Sequence, residues 1–340
     1  MSRFLGTSRT GDGAGGMNTL RFAGRRVKKT SQCVKGKVEK IMKRISIGTW
    51  AYAIGPYEDN PVPWDEILSR LSALRFDGLE LGGFGIHPNP HNLPTKADRD
   101  RCKQGVADAG LAFSALAADL WSQKLINTSD AGPYLDEFRT NLDFCVDLGI
   151  PGIRVDTVQP PTIFDEVDPE TARNRVVSTW KRCAREAADK GVYVTWEFEP
   201  GFAFNKPSDI LRIVDEVGDD NFGVEFDTCH AHMVAAVGAR QPGQKETLAG
   251  GALELAQRLR GKINHIHLID SDGSLHDNET STHAPFGDGV LDFDVLMPEL
   301  NKSGVQHDWW TIDLCFWPDA WPVTERCKQY VDKLNAKYGS

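Results

Sequence analysis

A chain of 340 residues with 40% hydrophobic and 26% charged side chains has the composition of one large globular domain. A mean hydropathy of -0.38, with no apolar run of roughly 18 residues, excludes a membrane-spanning class. Residues 1–43 carry 11 Lys or Arg against Asp12 and Glu39 while the rest carries 28 basic against 46 acidic residues, and an acidic body repels phosphate backbones, so nucleic acid is excluded as a partner of the folded part.

Residues 1–41 are rich in Gly, Ser, Thr and Arg and show no hydrophobic period. They are expected to form a disordered basic extension: an upstream start, a tag or a targeting segment, dispensable for folding. The spacing of Gly11, Gly13 and Gly16 imitates a dinucleotide-binding turn but follows no strand and opens no helix, so it carries no function. Periodic sequence begins at Met42, which reads as a natural start, and residues 42–340 are expected to be a single domain. The seven cysteines contain no C-x-x-C pair and no secretory apolar region precedes them. A reducing, cytoplasmic location fits, without a disulfide framework or a Cys-zinc site.

From residue 44 onward, short β-type runs alternate with longer amphipathic stretches. Strands are expected at 45–50, 78–83, 111–117, 152–156, 192–199, 222–227, 263–269 and 309–315. Helices are expected near 64–74, 95–109, 133–148, 169–190, 207–217, 246–259, 292–303 and 320–336. Pro94-Thr95, Asp168-Pro169 and Pro207-Ser208 supply helix-start chemistry. Eight consecutive units without a phosphate-binding Gly turn after the first strand predict a closed (β/α)8 TIM barrel rather than an open doubly wound sheet. Chemistry should then lie at the C-terminal ends of the strands.

Ionisable residues at barrel-strand ends are costly unless paired or bound to metal, and this chain places several there: Glu80, Arg154, Asp156, Glu197, Glu199, Glu225, Asp227, His265, His267 and Asp313. Residues two apart share one strand face, and the later of each pair lies nearer the barrel mouth. Taking the later members and adding Asp313 makes Glu199, Asp227, His267 and Asp313 the candidate ligands of one divalent metal. Sliding the fifth strand by two exchanges Glu199 for Glu197. Three carboxylates and an imidazole without thiolate suit Mn2+, Mg2+ or Co2+, with Mn2+ expected.

The patterns Asp77-Gly-Leu-Glu80, Glu199-Pro, Asp227-Thr-Cys-His230, His267-Leu-Ile-Asp270 and Gly287-Asp-Gly-Val-Leu-Asp-Phe293 resemble the sugar phosphate isomerase/epimerase superfamily, the xylose-isomerase-like barrels. That resemblance implies the same four ligands, with Asp313 a departure from the Glu that many members carry there, and implies that His230 contacts substrate. The Gly48-Thr-Trp-Ala-Tyr-Ala-Ile-Gly-Pro-Tyr57 opening, the Gly83-Phe-Gly-Ile-His-Pro-Asn-Pro-His91 loop and the Trp309-to-Pro318 end look like catalytic subunits of bacterial C-glycoside deglycosidases. This second resemblance implies 3-keto-C-glycoside substrates and a small β subunit, or otherwise a homo-oligomer.

These groups can abstract a proton beside a carbonyl, with Glu197 the expected base. Elimination of the C1 substituent would make the protein a lyase; return of the proton would make it a sugar isomerase or epimerase, and a non-catalytic sugar-binding barrel is the third reading. His87, His91 and His230 are the candidate acids. Trp50, Glu80, Arg154, Asp156, Asp270 and Trp317 are the expected substrate contacts. The aromatic segment Trp309, Trp310, Phe316, Trp317 and Trp321 is expected to be partly covered by a partner.

Overall fold

The computed structural model describes residues 42–339, and the basic extension expected at 1–41 lies outside them. Eight parallel strands form one sheet: β1 (Arg44–Ile47), β2 (Gly78–Gly83), β3 (Ala112–Ala118), β4 (Gly152–Val155), β5 (Tyr193–Glu197), β6 (Phe222–Asp227), β7 (Ile263–Leu268) and β10 (Trp309–Ile312). Their order is β1-β10-β7-β6-β5-β4-β3-β2, and the parallel bridge between Gly48 and Glu80 joins the two ends. The result is the expected (β/α)8 barrel.

Its helices are α1 (Trp64–Ala73), α2 (Lys96–Asp108), α3 (Gly132–Leu148), α4 (Pro169–Ala188), α5 (Pro207–Val217), α6 (Thr228–His232), α7 (Gly251–Arg258), α8 (Phe293–Leu300) and α9 (Ala320–Tyr338). Local chemistry explains the starts. Thr95 and Asp98 form a reciprocal capping box on α2, Asp168 caps α4 ahead of Pro169, and Pro207 opens α5 with its ring already at a helical φ. Gly149 closes α3 at φ 75°, a left-handed position that side-chain-bearing residues disfavour.

The alternation of the strands sorts the barrel into an apolar outside and a polar inside. Val194, Trp196 and Phe198 face the helix layer, where Trp196 packs on Trp180 and Phe198 on Phe226. Burying each such side chain contributes about 1.5–3 kcal/mol. Ser46 and Thr311, side by side on adjacent strands β1 and β10, hydrogen-bond inside the barrel at 2.8 Å, and His265 reaches Thr311 at 3.2 Å. The interior is a packed polar core that rises into the candidate site.

Two features depart from the periodic reading. Between β7 and α8 the chain forms an antiparallel hairpin, β8 (Asp270–His276) with β9 (Thr280–Ala284), turning through Asp277 and Asn278 at φ 50° and 60°. Asp and Asn tolerate that conformation, so the turn had a local signal. The other is α6, which runs into a π-helical turn at Met233–Val237, leaving α7 shorter than the 246–259 expected. The aromatic segment is covered by the chain itself: Trp309 and Trp310 are buried, Trp321 stacks on Tyr52 at 4.1 Å between ring centroids, and Phe316 stacks on His276 at 4.1 Å. Phe316, Trp317 and Trp321 stay half-buried. No described helix is long and apolar enough to cross a membrane.

Candidate active site

A cavity of about 490 Å3 opens at the C-terminal mouth of the barrel. Its polar wall holds Arg154, Glu197, Glu199, His230, His283 and Asp313, and its apolar wall includes Trp50, Phe84, Trp121, Phe202 and Phe316. Val158, Arg240 and Phe316, all lining residues, hold positive φ values of 59°, 52° and 64°. Strain of this kind in non-glycine residues concentrates at functional sites.

At the floor, His267 Nδ1 lies 3.2 Å from Glu197 Oε1 and 3.5 Å from Asp313 Oδ2, and one ligand atom from each of the three falls within 4.8 Å of the others. Glu197 Oε1, His267 Nδ1 and the nearby Asp227 Oδ2 are buried without a hydrogen-bond partner. Unpaired buried acceptors are destabilising unless something else satisfies them. Carboxylate and imidazole atoms left open toward one another fit a divalent cation.

Each of these side chains is held from behind. Arg154 Nη1 donates to Glu197 Oε2 at 2.6 Å. Trp50 Nε1 donates to Asp313 Oδ1 at 2.6 Å. Asp227 Oδ1 accepts from the His230 backbone N–H at 2.6 Å, capping α6. The other nitrogen of His267, Nε2, lies 2.9 Å from Glu80 Oε2 and 3.1 Å from Glu225 Oε1. A carboxylate behind an imidazole fixes the ring and the nitrogen that faces the site. His265 binds the same Glu80 oxygen at 2.8 Å.

The expected ligands are thus divided. Asp227, His267 and Asp313 stand at the floor, but the structure brings Glu197 rather than Glu199 beside His267 and Asp313. The reason is local: β5 ends at Glu197, and the Pro200-Gly201 turn carries Glu199 to the cavity wall. There Glu199 accepts from the Thr280 hydroxyl and lies 3.5 Å from His230 Nε2. Burial first, and then the neighbouring Glu197 and Asp156 charges, push its carboxyl up to about 7. Burial, aided by His283, pushes His230 down to about 3, so this imidazole is neutral; its Nδ1 bonds the Ser281 hydroxyl at 2.8 Å. Burial alone would raise Glu197, but the Arg154 guanidinium together with His267 and His230 outweighs it and holds the carboxylate below its ordinary value.

The fold and this floor accompany a sequence match to the family described as xylose isomerase-like TIM barrel over residues 60–327. The chain belongs to that family. Among curated relatives, inosose dehydratase of Yersinia enterocolitica is 26% identical over 263 residues, covering 72% of this chain and 80% of that protein. Among solved structures, the IolI protein with a bound zinc atom aligns at a TM-score of 0.66 and 18% identity, over 87% of this chain and 99% of its own. A probable 3-DHS dehydratase from Bacillus anthracis aligns at 0.64 and 16% identity, over 85% and 98%.

Within this xylose isomerase-like barrel, Trp50 and Arg154 line the cavity. Asp156 accepts from Trp121 Nε1 at 3.1 Å, just behind the wall. Glu80 lies below the floor. Asp270 instead ties the loop after the hairpin, accepting from the backbone N–H groups of Ser271, Gly287, Gly289 and Leu291. Trp317 donates from Nε1 to the His283 carbonyl at 2.8 Å, bracing the hairpin. His87 is not brought to the cavity: it is buried 3.2 Å from the Val62 carbonyl and beside Trp64. His91 is exposed and pairs with Glu137. Residues that the periodic reading passed over include Thr280 and His283, both on the hairpin. Their only sequence signal is the alternating Thr-Ser-Thr-His-Ala run after an Asp-Asn turn.

Proposed function

We propose that this chain is a divalent-metal-dependent lyase acting on a keto sugar, removing a proton beside the carbonyl and expelling the substituent on the next carbon, as in 3-keto-C-glycoside cleavage. The observation that carries this reading is one cavity with two chemistries: a floor of facing carboxylate and imidazole atoms, and a mouth walled by Trp50, Phe84, Trp121, Phe202 and Phe316. A keto sugar suits the floor through its adjacent oxygens, and a planar aglycone suits the aromatic wall.

Glu197, Asp227, His267 and Asp313 would hold the cation. When bound, it would supply Lewis-acid polarisation of the sugar carbonyl. This distribution exchanges the roles expected from sequence for Glu197 and Glu199. Arg154, with His267 and His230, favours the ionised form of Glu197, which suits a ligand, whereas Glu199, pushed up to about 7, suits a general base. Glu199 takes the proton from the carbon beside the carbonyl. The electrons of that C–H bond form the new carbon–carbon double bond as the C1 substituent departs with its bonding pair. The departing carbon takes up a proton from the Glu199–His230 pair, which restores the pair to its starting state. Trp50 and Arg154 bound the space in which the ring sits.

A second reading has a specific observation behind it: the curated relative is named a dehydratase. In that case the same steps expel a hydroxyl group from a keto-polyol as water. Incubation with Mn2+ and, separately, a 3-keto-C-glucoside, an inosose and a free ketose tests both. Aglycone release supports the lyase proposal, an enone from the inosose supports the second reading, and epimerised or isomerised ketose as the sole product overturns both.

A further inference from the structure

His283 sits on β9, in the hairpin that interrupts the β/α rhythm. Its side chain is 3% exposed, and neither ring nitrogen has a hydrogen-bond partner among the described residues. An imidazole so deeply buried, with Nε2 open and Nδ1 met only by the Asp313 carboxylate, is destabilising unless another group engages it. The direction it faces identifies that group. Its Nδ1 is 3.5 Å from Asp313 Oδ2, and ligand atoms of His283, Asp313 and His230 fall within 4.8 Å of one another. Ligand atoms of His283, Asp227 and Cys229 do the same. His283 therefore stands between the carboxylates that β6 and the end of β10 contribute to the floor.

We infer that His283 is a further protein ligand of the metal centre, delivered from the β8–β9 hairpin. This rests on the metal-dependent reading above. Asp313 is one methylene shorter than a Glu, and the Trp50 indole at 2.6 Å together with Cys315 Sγ at 3.4 Å holds it back. The imidazole stands 3.5 Å from the other carboxylate oxygen, Oδ2. The backbone carrying His283 is fixed on both sides, because Trp317 Nε1 donates to the His283 carbonyl at 2.8 Å and Cys229 Sγ donates to the Thr282 carbonyl at 3.2 Å. A ligand held this way loses little freedom on binding. A second imidazole also moves the donor set away from Mg2+, which prefers oxygen, and toward Mn2+, Co2+ or Zn2+. The hairpin then couples the metal to the cavity wall, since Thr280 on the same strand holds Glu199.

The test uses the full chain freed of metal with a chelator and titrated with Co2+ and Mn2+. Expected for His283→Ala is a loss of Mn2+ affinity of about 10- to 100-fold or more and an altered Co2+ visible spectrum, with unchanged far-ultraviolet circular dichroism in the metal-free state. His230→Ala, which removes the neighbouring imidazole, should leave the Co2+ spectrum as it is. If His283→Ala does not fold, His283→Gln is read by the same two measurements. A His283 variant with wild-type affinity and spectrum but lower turnover would place His283 on the substrate and overturn the inference, leaving the metal-dependent reading intact. A wild-type chain that binds neither cation overturns both.

Discussion

Arg154 and Glu197 form a buried ion pair, Nη1 to Oε2 at 2.6 Å, and the second carboxylate oxygen of Glu197 is left facing His267 at 3.2 Å. One oxygen is committed to charge and the other to the site. Arg154→Gln keeps a donor but removes the strongest of the charges that favour ionised Glu197. Mn2+ affinity at neutral pH should fall by about 10- to 100-fold, as for loss of other groups that orient a ligand. The variant should also lose about 3–5 kcal/mol of stability in the metal-free state, because an uncompensated carboxylate remains buried. Calorimetric titration and denaturant unfolding measure the two effects. Unchanged affinity would show that Glu197 is not a ligand.

Glu199 offers a pH-dependent signature. Its folded value near 7 lies above the ordinary carboxyl value, chiefly through burial. Between those two values the unfolded chain has released a proton that the folded chain keeps. Stability of the metal-free protein should therefore decline as pH rises from about 4.5 to 7, with the loss complete above the folded value. Glu199→Gln should remove this part of the slope. Its turnover should drop by about 10²- to 10⁴-fold, the range for loss of a general base. An unaltered pH–stability slope in Glu199→Gln, measured by urea unfolding, would contradict the assignment.

Facing ligand atoms assemble only in the folded chain, so a bound cation must stabilise it. Divalent cation at about 100 times its dissociation constant should add about 2.7 kcal/mol. For a domain of this size that is an increase in Tm of about 5 °C. His267→Ala should abolish the increase, and scanning calorimetry with and without chelator reads it directly. Equal cation-induced shifts in His267→Ala and wild type would move the binding site elsewhere.

The barrel was legible in the sequence because each β/α unit satisfies its own local rules: the period of two in Val194-Thr-Trp-Glu197, the cap at Thr95, the proline that opens α5. The same alternation marked Asp227 and His267 as sharing the barrel interior, and the pairing of these two residues in register on β6 and β7 agrees. Alternation along one strand does not say where that strand stops or how far its neighbour is staggered. The chain leaves β5 at Glu197 because the Pro200-Gly201 turn follows, and this placed Glu197, not Glu199, beside His267. His283 was out of reach for a related reason. Its place beside Asp313 depends on a hairpin held by Asp270, Trp317 and Cys229, contacts that span up to 53 residues of sequence. Local periodicity reports which face a residue shares with its near neighbours; only closure of the barrel and docking of the hairpin bring distant side chains within coordinating distance.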